Sequence, residues 1–170
     1  VKAGRVVDIG ALEYAVTNAV HLTEQKAKES IDRIYVGLHG TGLVSLPWGA
    51  SMDLHGRLVV DQDLVQLSRQ VVVQFPEQDI LHNIPLRYRV DETAGIRDPR
   101  GMIGQRLSAE MLAIGMPKGY AQNLLLSLSR CHLNVEGMVA VPYAAGLAVL
   151  DEDAALGVTV FGYLLLGVVG

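Results

Sequence analysis

The part of the sequence best equipped for chemistry is a long loop predicted directly after Val90, whose charged run lies between residues 95 and 106. It holds Arg97, Asp98, Arg100 and Arg106, together with glycines and an Asp-Pro step that interrupt regular structure. These groups can form ion pairs, but their order matches no catalytic motif. A loop of this length inside a compact domain is typically functional or disordered. Composition and spacing alone therefore assign no reaction to it.

Two other stretches resemble reactive sites only in part. Cys131-His132 could be half of a metal or nucleophile site, but the chain has no second cysteine and its other histidines lack ligand spacing. A small buried thiol at a helix end is the favoured interpretation. The glycine cluster at residues 39–42 lacks the Lys-Ser/Thr of a phosphate loop and does not open a helix. A tight turn or a domain crossover is predicted there.

Bulk composition indicates a globular chain. Its 170 residues are 50% hydrophobic and 19% charged, which is enough for one ordinary domain or two small ones. The formal net charge of −4 provides no cationic face, which argues against a nucleic-acid partner. A single cysteine rules out an internal disulfide framework and fits a reducing compartment.

The elements that position the charged loop follow from periodicity. Before it, Ile80–Val90 alternates as a strand, with Ile84 and Tyr88 on one side and Asn83, Arg87 and Arg89 on the other. After it, Leu107–Ile114 is another strand, and Gly115–Gly119 is a turn. Further strands are predicted at Arg33–Leu38, Leu43–Leu54 and Asn134–Val141.

Helices are indicated by apolar stripes with capping residues at their starts. Asp8 and Asp61 are the predicted N-caps of the first two. A third runs from about Tyr120 to Cys131, with Leu125 among its inward residues, and Pro142 starts a fourth.

The two ends of the chain carry further expectations. Val1–Ala11 contains no apolar signal-peptide core, and the start at valine suggests an excised piece of a larger protein. Residues 151–153 form an acidic tip. From Ala154 to Gly170 there is no charge, but the glycines and β-prone residues favour a buried strand or hairpin over a membrane span.

Several segments, in this order, resemble the FtsA family of bacterial actin-like cell-division proteins. The sharpest is Gly95–Met102, where the family carries a near-identical loop. The resemblance extends to three further segments, Ile80–Pro85, Arg130–Leu133 and Pro142–Ala144. The last two look most like the alphaproteobacterial branch of the family. The resemblance extends to about Val160.

The resemblance implies an α/β (α+β) fold. It consists of a partial actin-like (ribonuclease-H-like) subdomain, 1A, with an inserted small SHS2-type α/β subdomain, 1C. Residues 1–40 and 134–170 are expected in 1A, and residues 41–133 in 1C. The family's second phosphate loop would follow Val160, where this chain has Phe161–Gly167 instead. The chain is therefore expected to bind no ATP or Mg²⁺, although the full-length family does, and to be no enzyme.

The function implied is that of a divisome protein-interaction module, which docks later division proteins and contributes to self-association. The family tethers FtsZ to the membrane, but contact with FtsZ or lipid through this chain is not expected, and its location is the cytoplasm at the membrane's inner face. Alternatives are an actin-like ATPase and a related pilus-assembly protein. The loop residues are either partner contacts or a self-braced loop, with Asp98 paired to a nearby arginine. The candidate partner-binding residues are Arg97, Asp98, Arg100, Met102 and Arg106.

Overall fold

The protein is described by a computed structural model that covers residues 8–40 and 42–149. The predictions for the acidic tip and the apolar tail lie outside these ranges, as does residue 41 of the glycine cluster. The chain divides into two compact units. Val1–Val44 and Met116–Gly170 form the flanking unit, and Ser45–Gly115 form the central unit. The predicted subdomain limits at residues 41 and 133 stay a prediction.

The chain is a mixture of helices and strands, which confirms the α/β (α+β) prediction. In order they are α1 (Ile9–Ala27), β1 (Arg33–Leu38), β2 (Val44–Asp53), α2 (Asp61–Arg69), α3 (Val71–Gln74), β3 (Gln78–Val90), β4 (Thr93–Ile96), β5 (Arg106–Pro117), α4 (Tyr120–Arg130), β6 (Asn134–Ala140) and α5 (Val141–Val149). Within the described ranges, no helix is long and apolar enough to cross a membrane.

The flanking unit is built from α1, α4, α5 and the parallel pair β1–β6. Asp8 caps α1 as predicted, since its Oδ1 accepts from the Ala11 amide at 3.0 Å. The strands run in register from Arg33 opposite Asn134 to Leu38 opposite Ala140, with one irregularity after Ile34. Parallel pairing requires a long crossover between the two strands, and here the chain between them includes the whole central unit.

The central unit is a four-stranded sheet in the order β2-β5-β3-β4, with a single aliphatic core. Trp48 and Met52 on β2 pack against this core, and the Trp48 ring meets Phe75 edge-on with centroids 6.3 Å apart. Strand β5 is central in the sheet. The buried members of the core are Ala50, Leu54, Val59, Leu67, Val90, Leu107, Ala109 and Met111.

The prediction of an irregular loop directly after Val90 is wrong over its first part. Residues Thr93–Ile96 form strand β4, which pairs antiparallel with β3 through a two-residue turn at Asp91-Glu92. Asp91 takes a positive φ of 50° in this turn. Its carboxylate also accepts from the backbone amides of Gln105 and Arg106, at 2.9 and 2.8 Å. A strand of only four residues leaves too short an alternation to be seen in the sequence.

The start of α2 differs from the prediction by one residue, and this changes which aspartate caps it. The N-cap is Val60 rather than Asp61. A valine side chain accepts no hydrogen bond, so the carboxylate of Asp63 accepts from the Val60 amide instead, at 2.9 Å. Asp61 is the first helical residue and its side chain is exposed.

Three further expectations are corrected by packing. Asn83 was predicted on the same side of β3 as Arg87 and Arg89, but unlike these exposed arginines it is partly buried. It accepts from Trp48 Nε1 at 3.0 Å, and its own amide donates to the Ser68 carbonyl at 2.9 Å. Leu125 was predicted to face inward but is 37% exposed. The predicted turn at Gly115–Gly119 is strand as far as Pro117.

Candidate functional site

The charged loop of residues 97–105 is hydrogen-bonded through its backbone to an earlier segment of the chain, residues 54–59. Backbone hydrogen bonds join Val59 N to Met102 O at 2.9 Å, Gly101 N to Val59 O at 3.0 Å and Leu54 N to Gln105 O at 2.7 Å. An antiparallel bridge pairs Leu58 with Ile103 between them. The loop is therefore an irregular continuation of sheet pairing, with its backbone polar groups used internally.

The predicted contact residues on this loop are only partly brought together. Arg100 Nε lies 3.0 Å from Asp61 and 3.5 Å from Asp98, whose Oδ1 also accepts from the Arg100 amide at 3.2 Å. Arg97 is exposed on the same loop, and Met102 packs against the core. Arg106 lies apart from them at the start of β5, where its Nη2 donates to Ser51 Oγ at 3.0 Å.

The ion pairs of Asp98 and Arg100 show the bracing that was one of the two predicted roles for this loop. They do not exclude contact with a partner, since Arg100 and Asp98 keep 57% and 61% of their side-chain surface exposed. Exposed pairs of this kind contribute about 0–1 kcal/mol to stability. Partner binding by the five predicted residues stays a prediction.

An exposed apolar cluster beside the loop was missed by the sequence reasoning. Leu58 is 50% exposed and Ile103, opposite it in the bridge, is 68% exposed. Val60 is 46% exposed and lies two residues beyond Leu58, next to the ion-paired Asp61. We call Leu58, Val60, Ile103, Asp98 and Arg100 the loop surface. No local signal identifies it, because its apolar members come from segments far apart in the sequence.

An ion pair between a buried aspartate and a half-exposed arginine adjoins the loop surface. Arg57 Nη1 and Nη2 donate to the two carboxylate oxygens of Asp63 at 2.7 and 2.6 Å, and the Asp63 side chain is only 4% exposed. The hydrogen bonds from Arg57 lower the pKa of Asp63, with help from the Val60 amide and against the effect of burial. Arg57 also donates to the carbonyl of Leu58 at 3.0 Å.

A second candidate surface lies on the side of the sheet where Arg87 and Arg89 are exposed, as their alternation in β3 predicts. Together with Arg106 they line a groove of about 340 Å³, which we call the arginine groove. The other lining residues are Gly49, Ala50, Ser51, Tyr88, Ala94, Gly95, Ser108, Ala109 and Glu110.

The cysteine-histidine pair is the end of a helix. Cys131 is the C-cap of α4, is partly buried, and its Sγ lies 3.7 Å from the carbonyl oxygen of Glu13. His132 follows with a positive φ of 62°. Across residues 8–40 and 42–149, no group of histidine, cysteine or acidic residues is arranged to hold a metal ion.

The fold defines the class of protein. Comparison with solved structures matches 87% of the chain to a chain of a PilM-PilN type IV pilus biogenesis complex, with a TM-score of 0.55 and 13% sequence identity, over 38% of that chain. At this identity the likeness concerns the fold alone. Residues 40–114 match the family described as the SHS2 domain inserted in FTSA. The chain is therefore a partial actin-like fold that carries an SHS2 domain.

The family is FtsA, as the sequence predicted. Over 160 residues, or 92% of the chain, it is 39% identical to the cell division protein FtsA of Agrobacterium fabrum and covers 36% of that protein. It is 38% identical to the FtsA of Rhizobium meliloti over the same shares. The chain thus spans about a third of the length of these relatives.

Proposed function

We propose that the central unit is a docking module, which binds other cell-division proteins and contributes to association between copies of the protein, and that it does so through the loop surface. The observation that carries the proposal is the exposed pair of Leu58 and Ile103, held opposite each other and flanked by Arg100. An apolar centre with an arginine at its rim is the composition typical of protein interfaces.

The rigidity of the loop surface supports this role. Its backbone hydrogen bonds are already formed, from Val59 to Met102 and from Gly101 to Val59. The carboxylate of Asp63 fixes Arg57, which in turn donates to the Leu58 carbonyl. Little conformational freedom is lost when a partner binds a surface that is already ordered, and more of the contact energy then appears as affinity.

A pull-down against the cytoplasmic tails of division proteins tests the proposal, with affinities then measured for the tails that bind. In the double variant Leu58→Ser and Ile103→Ser, binding is expected to weaken at least about tenfold, because the apolar centre of the interface is lost. Arg100→Ala is expected to weaken it by a smaller factor.

The matched control is Val72→Ser with Val73→Ser. These valines are on α3 in the same unit and are 67% and 84% exposed, so the control removes the same kind of surface elsewhere. If both double variants bind the tails as the unaltered chain does, or lose binding equally, the loop surface is not the docking site. Sedimentation velocity on the same variants tests self-association.

We further infer that these 170 residues act without a cofactor and have no enzymatic activity. The sequence contains no Asp-x-Gly-Gly-Gly-Thr-Thr segment to meet phosphates and Mg²⁺. Calorimetric titration with ATP and Mg²⁺ is expected to give no saturable heat up to about 1 mM. Affinity at or below that concentration that depends on Mg²⁺ would contradict the inference.

The FtsA family is the basis for proposing where the protein is located and which partners it does not bind. We propose that the protein acts in the cytoplasm at the inner face of the membrane, at the division site, and that FtsZ and lipid are not bound by the central unit. The net charge of −4 supports the absence of a nucleic-acid role. Co-sedimentation of this chain with FtsZ filaments is the direct test. If the chain pellets with the filaments and the Leu58→Ser and Ile103→Ser variant does not, the central unit binds FtsZ and the proposal is wrong.

A further inference from the structure

The arginine groove concentrates positive charge in a chain that is negative overall. Its lining includes Arg87, Arg89 and Arg106, while the formal net charge of the chain is −4. Among the described residues that line it, Glu110 alone is acidic. Within the part of the chain that the structure describes, Arg87 and Arg89 have neither an ion pair nor a side-chain hydrogen bond. Their binding capacity is therefore unused.

The spacing of the arginines is regular. Arg87 and Arg89 are two residues apart on β3, which places their backbone positions about 6.4–6.8 Å apart on one face. Arg106 is on the neighbouring strand β5, where its carbonyl accepts from the Asp91 amide at 3.0 Å. It is therefore one strand across from Arg89 and two residues further along, at a diagonal distance of about 7–8 Å.

An extended peptide has the same repeat. Side chains at alternate positions of an extended chain point to one side and recur about every 6.4–6.8 Å. Carboxylates at positions i and i+2 of such a peptide would meet successive guanidinium groups, and arginine binds a carboxylate through two parallel hydrogen bonds. Gly49 on β2 and Ala94 and Gly95 on β4, the strands that flank β5 and β3, leave room for the peptide backbone beside the arginines.

We propose that the arginine groove binds an extended segment of a partner protein that carries acidic residues at alternate positions, Asp/Glu-x-Asp/Glu. The proposal rests on the docking role of the central unit and names the chemistry of one ligand of that unit. Partners that present many phosphates, such as a nucleic acid or a lipid surface, are disfavoured, because Glu110 lies in the groove and the formal net charge of the chain is −4.

The test uses the whole 170-residue chain and fluorescein-labelled synthetic peptides, with binding followed by anisotropy. The probe repeats Glu-Thr three times. One control peptide, Glu-Glu-Thr-Thr-Glu-Thr, has the same composition but no two glutamates at positions i and i+2, and a second replaces each glutamate with glutamine. The protein variant is Arg87→Gln with Arg89→Gln. Its control is Arg69→Gln with Arg33→Gln, which removes the same charge from exposed positions outside the groove.

The alternating peptide is expected to bind at least about tenfold more tightly than either control peptide, and the groove variant to lose at least about tenfold while the control variant loses less than about twofold. Equal losses in the two protein variants, no preference for the alternating order, or no binding of the alternating peptide would overturn the proposal. Tighter binding to phosphatidylserine vesicles or single-stranded DNA that the groove variant abolishes would overturn it in favour of a phosphate ligand.

The two proposals fail separately. The peptides contain no apolar anchor, so loss of the loop surface in the Leu58→Ser and Ile103→Ser variant leaves their binding unchanged. Conversely, the groove variant retains Leu58 and Ile103. Failure of the tail pull-down with intact peptide binding would remove the loop surface as a docking site and leave the groove.

Discussion

Replacing Asp63 with asparagine is expected to lower the free energy of unfolding of the central unit by about 3 kcal/mol. The Asp63 side chain is 4% exposed and its two carboxylate oxygens accept from Arg57 at 2.7 and 2.6 Å. Asparagine keeps the volume but turns an N–H₂ group toward these donors. This loss of stability is at the lower end of the range for breaking a buried ion pair, because Arg57 is half-exposed and its guanidinium can turn toward water.

The measurement is urea unfolding followed by tryptophan fluorescence. Trp48 is the single tryptophan and packs against the core of the central unit, so its signal reports that unit and not the flanking one. The matched control is Asp61→Asn in the first turn of the same helix. Asp61 is 82% exposed, and its ion pair with Arg100 is expected to contribute less than about 1 kcal/mol. Equal losses in the two variants would show that burial of Asp63 is not the source of the effect.

The same pair gives a pH dependence with a defined sign. The pKa of Asp63 is lowered in the folded protein, chiefly by the hydrogen bonds from Arg57. Its stabilisation is therefore complete above the unfolded-state pKa of about 3.9 and is lost as the pH falls through the folded-state pKa. The difference in stability between the unaltered chain and Asp63→Asn should shrink below about pH 4. A constant difference down to pH 2 would contradict this account.

Replacing Gly104 with alanine is expected to destabilise the central unit by about 2–3 kcal/mol. A Cβ on Gly104 would overlap the Cγ1 of Val90 and lie 3.0 Å from the Asp91 carboxylate. Val90 is 4% exposed and belongs to the core, so it has no free space to move into. Asp91 is held by the amides of Gln105 and Arg106. Either the core or the hairpin turn must shift.

Gly49→Ala is the control for this substitution. Its Cβ would lie 3.8 Å from the carbonyl of Ala109, an ordinary contact, in the same sheet. Alanine in a strand loses less backbone entropy on folding than glycine, so the free energy of unfolding should be unchanged or rise by up to about 1 kcal/mol. The test is again urea unfolding monitored through Trp48. A Gly104→Ala variant as stable as this control would show that the turn and Val90 adjust freely.

These two positions illustrate what local patterns could and could not predict. Asp63 is three residues after the N-cap of α2, a place where acidic side chains often bind the first amides, but its arginine partner is assigned by no spacing rule. Gly104 is one of several glycines in the charged loop. Gly104 cannot carry a side chain because Val90, a residue of β3, occupies the space that a Cβ would need.

The sequence alone determined the elements whose signals are local, and it determined the family. A cap at Asp8 followed by an apolar stripe specifies α1, and alternation specifies Arg33–Leu38 and most of β3 as strands. The family assignment rests on the order of many segments, such as Gly95–Met102 and Arg130–Leu133, so the irregularity of any one of them does not weaken it. It implied docking and suggested contact residues in the charged loop, but it did not indicate the apolar cluster beside them.

Tertiary structure decided the surfaces. Leu58 and Ile103 become one apolar cluster only through pairing between distant segments, and Arg106 joins Arg87 and Arg89 only because β5 lies beside β3. The charged loop is an extension of the sheet in which Asp98 and Arg100 form an ion pair, and partner contact by its residues stays a prediction. Sequence periodicity predicts on which side of its own helix or strand a residue lies. Which residues become neighbours across a sheet depends on strand register, and the register is set by the packing of the whole core.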